Sequence, residues 1–316
     1  MIKIYCRDEN SDILVLTDFS EKLPDIRNVL WIDILNPDSN EFKLIASNYN
    51  VEFPTKQETE EIEVSSRYWE SSKDITVNTY FFTLVDGLPH NETVSFILQD
   101  HFLVTIRYRE LKTFVECTKK ITSLPKLFNS GFHIFSNILE LRIDMDADIL
   151  ENIAKGISNL RKNLLNEDMD SEELLESISI NEDHNTRLRE SLIDKQRLLS
   201  AILKSPKLPE NLQNNFKIMI KDVNSLIDYT RFNFDRLDYI QNIFLGQLGI
   251  EQNNIIKIFT IVNVIFLPPT LVASIYGMNF KYFPELDWSF GYPLSLLIMV
   301  FSSILPLVIF KKKGWM

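Results

Sequence analysis

The chain has 316 residues and a formal net charge of -11, enough length for one large or two modest domains. So acidic a balance argues against a nucleic-acid partner, which needs a basic face, and is compatible with divalent cations. Two distant cysteines, Cys6 and Cys117, make neither a disulfide framework nor a thiolate metal site, and His90, His101, His133 and His184 lack ligand spacing. The opening MIKIYC has no apolar signal-peptide core, so the head is expected to stay on the cytoplasmic side.

Residues 1–110 read as an α/β cytoplasmic domain. MIKIYC, DILVLTD, VLWIDI, DITVNTYFFTLV, ETVSFILQD and FLVTIRYRE carry the β-branched and aromatic excess of sheet segments. Asn36-Pro37-Asp38-Ser39 reads as a turn and helix cap, with EFKLIASNYN as a short helix over the sheet. The triplet Tyr80-Phe81-Phe82 is most simply sheet core.

Residues 111–210 change to helical periods, with helices expected over about 135–165 and 172–203. Glu167, Asp168, Asp170, Glu172, Glu173 and Glu176 crowd the hinge between them. That run is either a solvated turn with an acidic helix start, favoured by the helix dipole, or a mobile acidic tip that attracts cations. Pro206 and Pro209 end the second helix. A stalk helix, 211–257, follows, in which Phe216, Ile220, Val223 and Ile227, then Phe234, Leu237, Ile240 and Phe244, recur at spacings of three and four, bridged by Thr230. With no proline between Pro209 and Pro268, stalk and membrane segment are expected to be one helix of about 65 residues, roughly 100 Å long. Its apolar face needs neighbours, including copies of itself.

Residues 258–278 and 288–310 carry no formal charge, and each meets the roughly 20 residues needed to cross a bilayer. They read as two transmembrane helices joined by an outer loop, 279–287, and closed by a basic tail, 311–316. The mean hydropathy of -0.05 averages this apolar hairpin with a strongly polar head. Lys311, Lys312 and Lys313 place the C-terminus in the cytoplasm by the positive-inside rule, and a hairpin places the N-terminus there too.

Polar residues of the first span are not scattered. Asn253, Thr260, Asn263, Thr270 and Ser274, with Ile256 and Leu267 in the gaps, alternate spacings of three and four and so share one helix face. Such a face either glues helices together or lines an aqueous path where copies surround an axis; two helices cannot enclose a path alone. The stripe holds no charge. Amide and hydroxyl oxygens can hydrogen-bond an ion's hydration water, which suits magnesium because it dehydrates reluctantly. Pro268 and Pro269 remove backbone donors in mid-span.

The first span closes with Tyr276-Gly277-Met278-Asn279-Phe280, and the loop carries Phe283-Pro284-Glu285-Leu286. YGMNF between two terminal spans, with FPEL and the lysine triplet, closely resembles the CorA family of magnesium and cobalt transporters. The resemblance covers the layout of the whole chain and is residue-specific from about Asn253 onward. It implies a homopentameric funnel, an α+β membrane protein with the stalk and first span around a central pore and the second span outside. Asn279 of the Gly277-Met278-Asn279 triplet would ring the outer mouth and take hydrated Mg2+. Asn253, Ile256, Phe259 or Thr260, Asn263, Leu267 and Thr270 fall on pore-lining positions, with Ile256, Phe259 and Leu267 as a hydrophobic constriction. Glu285 and Asp287 would concentrate cations at the mouth, or simply keep the loop soluble. Lys311 to Lys313 would form a basic collar.

The resemblance also implies regulatory Mg2+ bound by carboxylates between heads. One of those positions falls on Asn242, not an aspartate, with Asp238 one turn earlier as the substitute. The expected function is Mg2+ influx down its electrochemical gradient through the cell inner membrane, gated by cytoplasmic Mg2+, with Co2+ and Ni2+ as further cargo. Zinc efflux by a related branch and a membrane-anchored adaptor are the alternatives. No organic cofactor is expected, and no enzyme: there is no nucleophile arrangement and no nucleotide-binding glycine loop.

Overall fold

A computed structural model describes residues 1–8, 12–17, 23–55, 67–166 and 170–314. The chain divides into two compact units, Met1–Ile240 and Gln241–Met316. The first is built on a seven-stranded sheet in the order β2-β1-β3-β7-β6-β5-β4. Its strands are β1 (Ile2–Arg7), β2 (Ile13–Leu16), β3 (Val29–Leu35), β4 (Tyr68–Glu70), β5 (Ile75–Val85), β6 (Leu88–Leu98) and β7 (Leu103–Arg107). The β3–β7 pair is parallel and the other described pairs are antiparallel.

Local chemistry explains the turns. Asp86 and Gly87 join β5 to β6 with positive φ at both residues, 52° and 82°, the backbone that a two-residue hairpin turn matching the strand twist requires. The helix expected after Asn36 is α1 (Ser39–Tyr49). Asp38 accepts hydrogen bonds from the Asn40 and Glu41 amides while Glu41 returns one from the Asp38 amide, a complete capping box. Asn50, at φ 51°, ends it in the left-handed region.

Four further helices follow: α2 (Lys112–Ser123), α3 (Gly131–Asn166), α4 (Ser171–Lys204) and α5 (Glu210–Tyr276). One core gathers Ile4, Ile32, Ile34, Ile45, Ile97 and Val104 around α1. Aromatic rings fill another: Tyr5 stacks on Trp31 at 4.3 Å, Phe96 meets Phe135 edge-on at 5.1 Å, and Phe135 stacks on Phe216 at 6.2 Å. This chain of rings ties the sheet to α3 and to the start of α5. The change of pattern at residue 110 is thus a change from strands to helices within one compact unit.

Expected elements recur with adjusted edges. The helix predicted from 135 begins at Gly131, where a Cβ would lie 2.3 Å from the Phe102 carbonyl carbon, so only glycine admits the approach. Along α5, Phe216, Val223, Thr230, Leu237 and Ile240 are buried as the spacing predicts, but Ile220, Ile227 and Phe234 are half-buried, with Met219 and Asn233 buried beside them. At the acidic hinge Asp170 caps α4, accepting from the Ser171 amide at 2.8 Å, and Glu172 and Glu173 stand exposed in its first turn. The helix-start reading accounts for these three; Glu167 and Asp168 lie outside the described residues.

Two charge networks are sealed into this unit. Asp33 accepts from Thr105 Oγ1 at 2.8 Å and pairs with Arg107 at 2.8 Å, linking the parallel strands, and Trp31 Nε1 donates to Thr105 Oγ1. On the helical side Asp146 pairs with Arg142 and, at 3.2 Å, with Lys195, whose ammonium donates to the Tyr80 carbonyl at 2.7 Å. Burial alone would raise the Asp146 carboxyl; Arg142 and Lys195 outweigh it and hold it below the usual carboxylate range. Burial lowers Lys195, with Asp146 opposing.

Asp146→Asn leaves two buried cations facing each other. We expect a loss of about 3–5 kcal/mol of stability, read by denaturant titration of the detergent-solubilised chain. Because the native carboxyl titrates below its unfolded value, its contribution is complete above the unfolded pKa of about 3.9 and disappears as pH falls through the native value. The variant should therefore also lose part of the wild type's acid sensitivity.

Candidate ion pathway

The second unit holds the C-terminal part of α5, a connecting loop and α6 (Gly291–Lys312). Both helices contain stretches long and apolar enough to cross a membrane, and almost no residue of those stretches is fully buried within the chain. The spans differ from the expected ones at their edges. Helix α5 closes at Tyr276, and α6 starts at Gly291, so Trp288, Ser289 and Phe290 precede the second helix rather than belonging to it. Lys311 and Lys312 lie in the last turn of α6, where ammonium groups favour the carbonyl end of the helix dipole, and Lys313 is its C-cap.

Burial divides α5 into faces. Ile261, Val264, Ile265, Pro268, Pro269 and Val272 are half-buried, and from this side the Ile265 carbonyl accepts a hydrogen bond from Ser303 of α6 at 3.1 Å. Asn253, Ile256, Phe259, Thr260, Asn263, Leu267, Thr270 and Ser274 are all exposed. At 100° per residue their face lies opposite the half-buried one. The oxygen-bearing stripe is therefore not what joins the chain's own two membrane helices.

The two threonine hydroxyls on that stripe have a defined polarity. Thr260 Oγ1 donates to the Ile256 carbonyl at 2.8 Å, and Thr270 Oγ1 donates to the Phe266 carbonyl at 2.7 Å. With each proton spent on its own helix, the hydroxyl offers lone pairs to its surroundings. A hydrated cation turns its water protons outward, so this face is chemically matched to a cation that keeps its water.

At the end of α5, the Gly277 amide donates to the Ala273 carbonyl at 2.9 Å and the Met278 amide to Ile275 at 3.2 Å, satisfying terminal carbonyls. Asn279 follows, exposed, at the start of the loop. Tyr276 meets Phe283 edge-on at 5.7 Å, and Pro284–Leu286 form a 3-10 turn. Glu285 and Asp287 are exposed in that loop. The Gly291 amide donates to Trp288, and a Cβ at Gly291 would lie 2.2 Å from the Glu285 carbonyl, so glycine fixes where the second helix begins.

Asp238 and Asn242 are both exposed. Among the described residues no three or more histidine, cysteine, aspartate or glutamate side chains are grouped to hold a metal. A different group of acids, which no sequence pattern marks, lines a concavity. Glu140, Asp144 and Asp222, with Asn215 and Ser136, line a cavity of about 110 Å³ between α3 and α5. Burial, then neighbouring Glu140, Asp148 and Asp222, raises the Asp144 carboxyl. Glu140 and Asp144 sit a helical turn apart on α3 and Asp222 lies on α5, each within a longer amphipathic run, so spacing alone does not separate them from a solvated face.

The family model for CorA-like Mg2+ transporter proteins matches residues 27–312. The chain belongs to the CorA family. The magnesium transport protein CorA of Wolinella succinogenes is 47% identical over 294 residues, covering 92% of each chain. That of Campylobacter jejuni is 42% identical over 332 aligned positions, covering 100% of both. The complete structure of the CorA magnesium transporter from Methanocaldococcus jannaschii superposes with a TM-score of 0.84 at 21% identity, covering 100% of this chain and 99% of that one. Sheet, long helices and apolar hairpin are thus the CorA fold. Family membership makes the chain a membrane transporter of Mg2+ rather than an enzyme or a tethered adaptor.

Gly291→Ala drives a methyl group into the Glu285 carbonyl. We expect a cost of about 1–3 kcal/mol, seen as increased protease cleavage in the 279–290 loop and lower Mg2+ uptake, with the circular dichroism of the head unchanged.

Proposed function

We propose that five copies of the chain surround an axis and pass hydrated Mg2+ along the exposed stripe of α5, inward down its electrochemical gradient. The observation that carries this reading is the uncharged oxygen-bearing face at hydrocarbon depth, turned away from α6. Buried polar side chains in lipid need partners or water. A water-filled axis between copies supplies both, and no pair of helices could enclose one.

Within this reading, Asn279 takes the hydrated ion at the outer mouth through its side-chain oxygen, with Gly277 and Met278 setting its place. Glu285 and Asp287 raise the local cation concentration. Asn253, Thr260, Asn263 and Thr270 hydrogen-bond the hydration shell, while Ile256, Phe259 and Leu267 form a constriction that closes by dewetting. Lys311, Lys312 and Lys313 lie on the cytoplasmic side of the cell inner membrane, together with both termini. Co2+ and Ni2+, hydrated ions of the same charge, share the path. Regulatory Mg2+ binds between neighbouring heads, with Asp238 rather than Asn242 as the carboxylate from α5.

Asn279→Ala should abolish Mg2+ uptake by purified protein in liposomes while the assembly keeps its size on gel filtration. Normal Mg2+ flux in that variant would remove Asn279 from the mouth. Metal-resolved uptake by the wild type, with and without Mg2+ on the head side, tests the cargo and the gating together. Uptake of Mg2+, Co2+ and Ni2+ that slows when head-side Mg2+ is raised is the expected result. Net outward movement of Zn2+ against an imposed Mg2+ gradient would contradict it.

A further inference from the structure

Pro269 lies inside α5 and has no amide hydrogen. The carbonyl four residues before it, that of Ile265, therefore lacks the donor that every regular helical carbonyl receives. In water the loss would be made good by solvent, but at hydrocarbon depth an unserved carbonyl is costly. Ser303 supplies the missing donor from α6: its Oγ lies 3.1 Å from the Ile265 oxygen. The same hydroxyl is 3.2 Å from the Met299 carbonyl of its own helix. Met299 already receives the Ser302 hydroxyl at 2.8 Å as well as its helical amide. Ile265 is thus the acceptor in greater need, and the Ser303 proton does more for it than for Met299.

The contact is placed where it bears on the ion path. Leu267 immediately precedes the Pro268-Pro269 pair and Thr270 immediately follows it. Both are exposed on the stripe, while Ile265 and the two prolines are half-buried on the opposite face. A helix weakened by two missing donors is free to rotate or bend at that level. A bond from α6 to the carbonyl beside the weak point fixes how far Leu267 and Thr270 turn toward the path. We propose that Ser303 is a positioning residue for ion passage. Its hydroxyl replaces the amide hydrogen absent at Pro269 and sets the orientation of the neighbouring constriction. This inference rests on the reading of the exposed α5 face as the ion path.

The test compares Ser303→Thr with Ser303→Val in the full-length protein, since these side chains share a shape and differ in the hydroxyl. Mg2+ uptake in liposomes should stay within about twofold of wild type for Ser303→Thr. It should fall roughly fivefold for Ser303→Val, as suits one interhelical hydrogen bond in a membrane. Pro269→Ala restores the amide hydrogen, so in that background the Thr and Val variants should transport alike. Equal uptake by Ser303→Thr and Ser303→Val with Pro269 present, or the same fivefold gap after Pro269→Ala, overturns the proposal. Gel filtration confirms assembly of each variant, and Ser303→Thr remains a folded comparison if Ser303→Val assembles poorly. Asn263→Leu, which removes the oxygen at the centre of the stripe, is run in parallel and separates the two failures. If it blocks uptake while Ser303→Thr and Ser303→Val match, only the positioning role falls; if it transports normally, the path reading falls first.

Discussion

Polar groups at hydrocarbon depth must be matched, and the second unit is organised by that requirement. Thr260 and Thr270 spend their protons on their own helix, and the Ser303 hydroxyl lies within hydrogen-bond reach of the carbonyl that Pro269 leaves unserved. What remains is a row of amide and hydroxyl oxygens, with Asn263 at its centre, that the chain leaves exposed. Lipid cannot satisfy them. Water can, and so can the hydration shell of an ion.

The same principle runs through the head in a different form. Its most deeply buried charges are grouped: among the described residues, Asp33 pairs with Arg107 across the parallel strands, and Asp146 lies between Arg142 and Lys195 beneath β5. Such pairs add little net stability over apolar packing, but removing one partner leaves a charge without a counter-ion. They fix which strand and which helix turn meet, while the surrounding rings of Trp31, Phe96, Phe135 and Phe216 provide the apolar burial.

Features written in local spacing were legible in the sequence. The two uncharged runs, the helix cap within 36–39 and the spacing of the stripe from Asn253 to Ser274 depend on neighbours within a few turns; most of both runs is helical, Asp38 caps α1, and the stripe residues are exposed on one face. Edges were less legible. Hydropathy counts Trp288, Ser289 and Phe290 as membrane helix, whereas the backbone approach of Gly291 to Glu285 sets the start of α6. The three-residue strand β4 exists through pairing with β5, which no local pattern records. Asp146 and Lys195 look like ordinary surface charges until tertiary structure encloses them. Ser303 and Ile265 are 38 residues apart in the chain, so only folding reveals that a serine in one apolar run answers a proline in the other. The five-fold assembly, the mouth role of Asn279 and the regulatory metal position near Asp238 are proposals about contacts between copies, which a single chain does not contain.

Whether the stripe faces water is the point on which the account turns, and thiol accessibility addresses it directly. Cys6 and Cys117 are buried and free, so replacing both with alanine gives a background for single cysteines along α5. Cysteines at Asn263, Leu267 and Thr270 are predicted to react with a small charged thiol reagent in liposome-reconstituted protein and to lose Mg2+ uptake on labelling. Those at Ile261, Ile265 and Val272, on the opposite face, are predicted to stay unreactive. Equal labelling of both faces, or labelling confined to the half-buried one, would contradict a water-filled path along the exposed side of α5.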